Sequence, residues 1–313
     1  MGWQTIHIDR RSFLRSAGVA AGMLTSAGSL LNSASEARAA VTHGLVGATI
    51  GPANYPGTDE TQASNMFDRF VGRPMAANVQ KIYYQEGVWP SSIPMKDQEI
   101  IDLGAKLLIS FKPSRTPSMS ERTNLANAID MYRTANATFD VTLWQEPNDR
   151  SAFSTGSDYI GYVDYYGPTV RAAGIPLVYD PGAGGGVDSW GAYYPGPSMI
   201  DKIMIDFYGS AWLNGTRLDA IAAIADRASP AKPLGLGEWN DAATSAGTLT
   251  PTQFGHYVTY LINFFTTRLS NGKSNGDIIF WMGNNAVDIP ADQVLSSSDF
   301  KVPHIQRLYD SLR

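Results

Sequence analysis

Short apolar runs rich in β-favouring residues alternate along the chain with longer stretches whose apolar positions recur every three to four residues. Eight runs stand out: Leu45–Ile50, Lys81–Gln85, Ala105–Phe111, Asp140–Trp144, Ile175–Tyr179, Lys202–Phe207, Pro233–Gly237 and Asp277–Met282. They are close to continuously apolar, as parallel strands buried on both faces require. Ser120–Ala135 reads as a helix opening at a Ser cap, with Leu125, Ala128, Ile129 and Tyr132 on one face. Thr252–Leu269 repeats the pattern with Phe254, Tyr257, Leu261 and Phe265. Leu218–Ala228 is rich in Ala and Ile, and Ile305–Leu312 closes the chain. Residues 181–201 carry no clean helical pattern, which makes the fifth unit the weakest.

Strands alternating with helices predict βαβ units and a parallel sheet. Eight units over residues 40–313 average about 34 residues each, the spacing of a closed (β/α)8 barrel. A doubly wound open sheet would carry a nucleotide fingerprint after its first strand. Here that strand runs into Gly51-Pro52-Ala53-Asn54. The run Gly182-Ala183-Gly184-Gly185-Gly186 follows the fifth strand with the wrong spacing, and it reads as a flexible loop. No linker and no internal repeat interrupts residues 40–313, so the fold class is α/β: a single (β/α)8 (TIM) barrel domain.

Residues 1–39 read differently. Asp9-Arg10-Arg11-Ser12-Phe13-Leu14-Arg15 precedes a modestly apolar run from Ala17 to Leu31, and Ala37-Arg38-Ala39 offers a small-x-small cleavage site. That order predicts a cleavable signal peptide, and the Arg-Arg pair before Phe-Leu resembles a twin-arginine export signal. The expected partner during export is the twin-arginine (Tat) translocase, and the expected location is secreted or periplasmic. Gly, Ser and Thr interrupt the apolar run, which makes it a poor membrane anchor.

Cleavage would remove four basic side chains (Arg10, Arg11, Arg15, Arg38) and two acidic ones (Asp9, Glu36) from totals of 24 and 29, leaving a formal charge of −7. That balance argues against a nucleic-acid or anionic-membrane partner and suggests a neutral substrate. The chain has no cysteine, so disulfides, thiolate nucleophiles and sulfur-ligated metals are excluded. His43, His256 and His304 lie far apart and form no His-Glu-x-x-His motif. No metal or cofactor is expected, and the protein is expected to act as a monomer.

Barrel sites form at the C-terminal ends of the strands. The fourth run ends in Trp144-Gln145-Glu146-Pro147-Asn148 and the seventh in Gly237-Glu238-Trp239-Asn240. Strands four and seven lie across the barrel from each other, so both carboxyls are expected at the mouth. A protonated and an ionised carboxyl flanking one glycosidic bond is the requirement of glycoside hydrolysis. For each Glu taken alone, a salt-bridged barrel-end carboxylate is the alternative; the pairing on strands four and seven carries the reading.

These residues resemble clan A glycoside hydrolases, a superfamily of retaining (β/α)8 enzymes. Trp-Gln-Glu-Pro-Asn is similar to the clan's Asn-Glu-Pro signature on strand four, which implies an acid/base role for Glu146. Gly-Glu-Trp-Asn is similar to the strand-seven nucleophile segment, which implies that role for Glu238. The resemblance also implies a nucleophile-binding Tyr208 on strand six and a subsite-flooring Trp281 on strand eight. Where the clan usually has Asn before the acid/base, this chain has Gln145; some members, such as endo-mannanases, also replace that Asn. The implied activity is a glycosidase cleaving β-glycosidic bonds of a poly- or oligosaccharide by double displacement.

The mature chain's six tryptophans, Trp89, Trp144, Trp190, Trp212, Trp239 and Trp281, all fall at predicted strand ends or in the loops beyond. Flat aromatics match the C–H faces of sugars, so Trp89, Trp190, Trp239 and Trp281 are candidate substrate contacts beside plain core packing. Gln145, Asn148, Asp206 and Tyr208 are candidate polar contacts, with capping or buried structural roles as the alternative. Glu86, Lys112 and Asp180 either line subsites or form loop salt bridges. Two other functions remain open. A barrel that binds carbohydrate without cleaving it would have the same fold. A metal-dependent esterase or deacetylase needs a His cluster or a Gly-x-Ser-x-Gly elbow that is missing here.

Overall fold

The computed structural model describes residues 41–51, 55, 57–149, 152–184, 187–241, 249–282 and 299–313. The export-signal reading of residues 1–39 therefore lies outside the described residues, as do Pro52–Asn54 and the Gly185–Gly186 pair. The unit Ala40–Arg313 holds everything that follows.

Eight parallel strands form one sheet among the described residues: β1 (Val46–Thr49), β2 (Val79–Tyr83), β3 (Lys106–Phe111), β4 (Phe139–Leu143), β5 (Leu177–Tyr179), β6 (Lys202–Asp206), β7 (Leu234–Trp239) and β8 (Asn275–Trp281). The order runs β1-β8-β7-β6-β5-β4-β3-β2, so β1 and β2 are the two ends. They come together and nearly close the barrel. Side chains make the seam: Lys81 N donates to Thr49 Oγ1 at 2.6 Å and Asn78 Nδ2 to the Val46 carbonyl at 3.0 Å. Gly47 is needed there, because a Cβ would sit 2.2 Å from the Val79 carbonyl oxygen.

Helices alternate with the strands: α1 (Glu60–Val71), α2 (Met95–Asp102), α3 (Met119–Thr134), α4 (Gly156–Ala172), α5 (Val187–Ala192), α6 (Gly209–Leu213), α7 (Asp219–Arg227), α8 (Pro251–Ser270) and α9 (Val302–Leu312). Their starts are encoded locally. Ser118 caps α3, while Thr155 with Asp158 and Thr250 with Gln253 form capping boxes on α4 and α8. Helix α4 buries Tyr159, Tyr162, Tyr166 and Val170 at helical spacing. Three of its hydroxyls donate to carbonyls at the barrel rim: Tyr159 to Leu143 at 3.0 Å, Tyr162 to Pro113 at 2.9 Å and Tyr166 to Ser114 at 3.1 Å. Those bonds tie the loops after β3 and β4 to a rigid element.

The barrel interior is filled in three layers. The middle layer is apolar: Val79, Leu108, Val178, Met204 and Ile279 form a cluster of their own. At the N-terminal end, Lys106 pairs with Asp140 at 2.6 Å and with Asp277, and Lys202 pairs with Asp140 at 2.7 Å. At the C-terminal end, Lys81 of β2 meets carboxylates of β6 and β7, which it reaches only through the interior.

Two sequence expectations need correction. The second strand begins at Val79, two residues earlier than read, so Lys81 is mid-strand and internal. Trp190 and Trp212 sit on the short helices α5 and α6 rather than in open loops.

Candidate active site

The site is assembled at the C-terminal rim from β2 to β8. Glu238 owes its direction to a bulge. Ile205 of β6 pairs with Leu236, but Asp206 pairs with Glu238, so Gly237 is an extra residue in β7. A bulge re-aims the next side chain, and here it turns Glu238 into the mouth. Gly237 also leaves the room that Asp180 and Asp206 occupy, since any Cβ would collide with both carboxyls.

Glu238 is buried and held by two groups. Lys81 Nζ lies 2.9 Å from its Oε1, and the Tyr208 hydroxyl donates to its Oε2. Lys81 is fully buried and also reaches Asp180 at 2.8 Å and Asp206 at 2.9 Å. Burial alone pulls its ammonium down, but the three carboxylates outweigh this and hold Lys81 well above its ordinary range. Burial in turn pushes Asp180 and Asp206 up, partly offset by Lys81. Lys81 was the residue missed in the sequence; its only signal is a cation inside an otherwise barrel-filling strand.

Glu146 stands on a strained turn. It and Trp144 adopt left-handed backbone, with φ of 47° and 70°, a conformation that concentrates at functional sites. The Glu146 amide donates to the Asp180 carbonyl at 2.7 Å, anchoring the turn to the end of β5. Gly182 gives the carboxyl its space: a Cβ there would lie 2.5 Å from Glu146 Oε1. Burial first, and the charge of Glu238 next, push Glu146 up to about 7. The two carboxyls therefore sit within each other's field but in different surroundings.

Tyr83 of β2 and Trp281 of β8 form a tilted aromatic pair with centroids 5.4 Å apart, both half-buried at the rim. Gln145 is half-buried, and its backbone N–H donates to Ser110 Oγ at 3.3 Å. Glu146, Glu238, Gln145, Tyr208 and Trp281 are thus brought together.

Of the other candidates, Trp239, Trp190, Asn148 and Asp206 are buried in the fold, and Trp89 and Glu86 each have a protein partner. Trp239, the residue after Glu238, points the opposite way and is fully buried against Phe254 and Phe280. Trp190 is fully buried and donates to the Gly182 carbonyl at 3.0 Å. Neither offers a face to a sugar. Asn148 is buried and bridges the backbone of Gly182 and Gly184, shaping the loop beneath Glu146. Asp206 is sealed behind Lys81 and meets no solvent. Trp89 stacks on Phe111 and points its indole N–H at Glu121, 3.2 Å away. Glu86 pairs with Arg115 at 3.1 Å. Among the described residues no group of three or more His, Asp or Glu side chains is arranged to hold a metal ion.

No protein-family model matches the sequence, and no curated protein is similar to it. Solved structures share its shape at low identity. A GH26 endo-β-1,4-mannanase catalytic domain from Bacillus sp. JAMB-750 aligns over 87% of this chain and 84% of its own, at 14% identity and a TM-score of 0.53. SrfJ from Salmonella typhimurium aligns over 88% and 78%, at 14% identity and a TM-score of 0.51. The Bacillus subtilis mannanase BCman aligns over 82% and 84%, at 15% identity and a TM-score of 0.50. This chain therefore has the (β/α)8-barrel fold that these proteins share.

Proposed function

We propose that this protein is a retaining glycoside hydrolase cleaving β-glycosidic bonds, with Glu238 as nucleophile and Glu146 as acid/base. The observation that carries the reading is the unequal treatment of two carboxyls at one barrel mouth. Glu238 is braced by an ammonium and a phenol, while Glu146 is raised to about 7 by burial and by its neighbour's charge. Ionised Glu238 attacks the anomeric carbon as the glycosidic C–O bond breaks, and Glu146 gives its proton to the departing oxygen. Glu238 is then an ester and no longer negative, so the raising field on Glu146 falls. Glu146 becomes a base that deprotonates the incoming water, and the water's oxygen releases Glu238. That two proteins of the same fold are named mannanases supports a β-linked polysaccharide as substrate.

We further propose that residues 1–39 direct the protein out of the cell by the twin-arginine route, a reading supported by the order of Arg10-Arg11, apolar run and Ala37-Arg38-Ala39. Replacing both arginines with lysine is expected to retain the precursor inside; undiminished export would remove this proposal.

The hydrolase is tested by screening the mature protein on mannan, xylan, β-glucan and aryl-glycosides. Glu238→Ala is expected to abolish turnover on all of them. Glu146→Ala is expected to lose activity on natural glycosides but keep it on nitrophenyl glycosides, with added azide restoring turnover. Equal losses on both substrate types without azide rescue would overturn the assignment of Glu146. Binding of oligosaccharides without cleavage would make the protein a sugar-binding barrel.

A further inference from the structure

Four lysines belong to the inward series of the barrel. Lys106 and Lys202 at the N-terminal end and Lys81 near the mouth each meet carboxylates at 2.6 to 2.9 Å. The fourth is Lys112. It continues the inward alternation Leu108, Ser110 of β3 one step beyond the strand, above the layer that holds Lys81. Its backbone is fixed there, the carbonyl accepting from the Gly87 amide at 2.8 Å. Lys112 is half-buried, yet among the described residues no carboxylate lies within ion-pair range of its ammonium. Its contact is the Trp144 ring, 5.6 Å from Nζ to centroid.

An unpaired, partly desolvated cation at a mouth whose other lysine is sealed under carboxylates is a site waiting for an anion. Burial first, and the nearby Lys81 next, pull its ammonium below the ordinary lysine range despite the opposing charges of Glu146, Glu238 and Asp206, none of which is in ion-pair range; a bound anion would add to that opposing pull. Arg115 lies over the same ring at 5.3 Å, but Glu86 and the Ala152 carbonyl hold it. Lys112 is therefore the group available to a ligand.

Resting on the hydrolase reading, we propose that Lys112 selects an acidic sugar, a hexuronate whose carboxylate binds the ammonium beside Trp144. The acidic chain as a whole suggests a neutral substrate, but net charge averages over a surface that the ligand never touches; the mouth itself decides.

The test uses matched probes that differ in the C6 carboxylate: oligo-β-1,4-mannuronate against β-1,4-manno-oligosaccharide, and oligo-β-1,4-glucuronate against cello-oligosaccharide. The readout is the acidic-to-neutral ratio, in kcat/KM where cleavage occurs and in binding affinity by calorimetry in either case. A ratio of about tenfold or more in one pair is expected, collapsing in Lys112→Gln, retained in Lys112→Arg and shrinking with added salt. Acidic probes that bind no tighter than neutral ones in both pairs, or a ratio that Lys112→Gln leaves unchanged, would overturn the proposal. If the acidic probe binds selectively through Lys112 but neither it nor any glycoside of the screen is cleaved, the hydrolase reading fails and the subsite stands.

Discussion

Lys81→Met removes one ammonium and keeps most of the stem that fills the barrel. What remains is Asp180, Asp206 and Glu238 around an uncharged side chain, in a place where Lys81 and both aspartates have no exposure. Removing one partner of a buried ionic cluster costs about 3–5 kcal/mol. At about 2–4 °C per kcal/mol for a domain of this size, the melting temperature is expected to fall by roughly 6–20 °C at neutral pH. The pH dependence has a definite sign. The folded-state values of Asp180 and Asp206 already lie above their ordinary range, and without the ammonium they rise further. A carboxyl whose folded pKa exceeds its unfolded value binds more protons in the folded state, so its contribution favours folding at low pH and is lost as pH rises. Lys81, raised in the folded protein, contributes below its unfolded pKa and so steadily across this range. The gap between wild type and variant should therefore widen from pH 5 to pH 8. Thermal unfolding followed by circular dichroism at several pH values measures it. A loss under about 2 °C at pH 8, or a gap that does not change with pH, would refute the idea that Lys81 neutralises this cluster.

The raised Glu146 sets the basic limb of the rate profile: kcat/KM should fall above about pH 7 as the acid loses its proton, and Glu146→Gln should remove that limb along with activity on natural glycosides. Gly182→Ala should leave the melting temperature nearly unchanged, because the new methyl meets the movable end of Glu146, but displacement of that carboxyl should lower kcat at least tenfold. A fully active Gly182→Ala enzyme would show that the carboxyl's present position is not the working one.

The barrel was legible because parallel strands sheathed in helices must be apolar on both faces, and each run stops where a polar residue reaches the rim. Glu146 and Glu238 stood out for that reason. Lys81 did not, because Gln80 and Lys81 break the apolar run of β2 and shifted its apparent start to the middle of the strand. Placed at the strand's start, the lysine belonged to the wrong end of the barrel. Trp239 misled in the opposite way: it adjoins Glu238, but neighbours in a strand face opposite sides, so it packs into the helical layer. Asn148 and Trp190 both serve Gly182, across a strand boundary that no local pattern reveals.

One extra residue links these observations. Without the bulge at Gly237, alternation would send Glu238 into the helical layer, where Trp239 now lies. With it, a single strand supplies two consecutive inward positions: a glycine and a carboxylate. The glycine admits Asp180 and Asp206. Those aspartates and Lys81 brace each other at 2.8 and 2.9 Å, and Lys81 in turn braces Glu238. Glu146 has no such counter-charge within ion-pair range among the described residues, and it faces the field of Glu238 instead. Two glutamates at one mouth are thereby given different partners by where one glycine sits. A side chain at position 237 should disturb both roles at once, by moving the aspartates and by loosening the lysine that holds Glu238 in place.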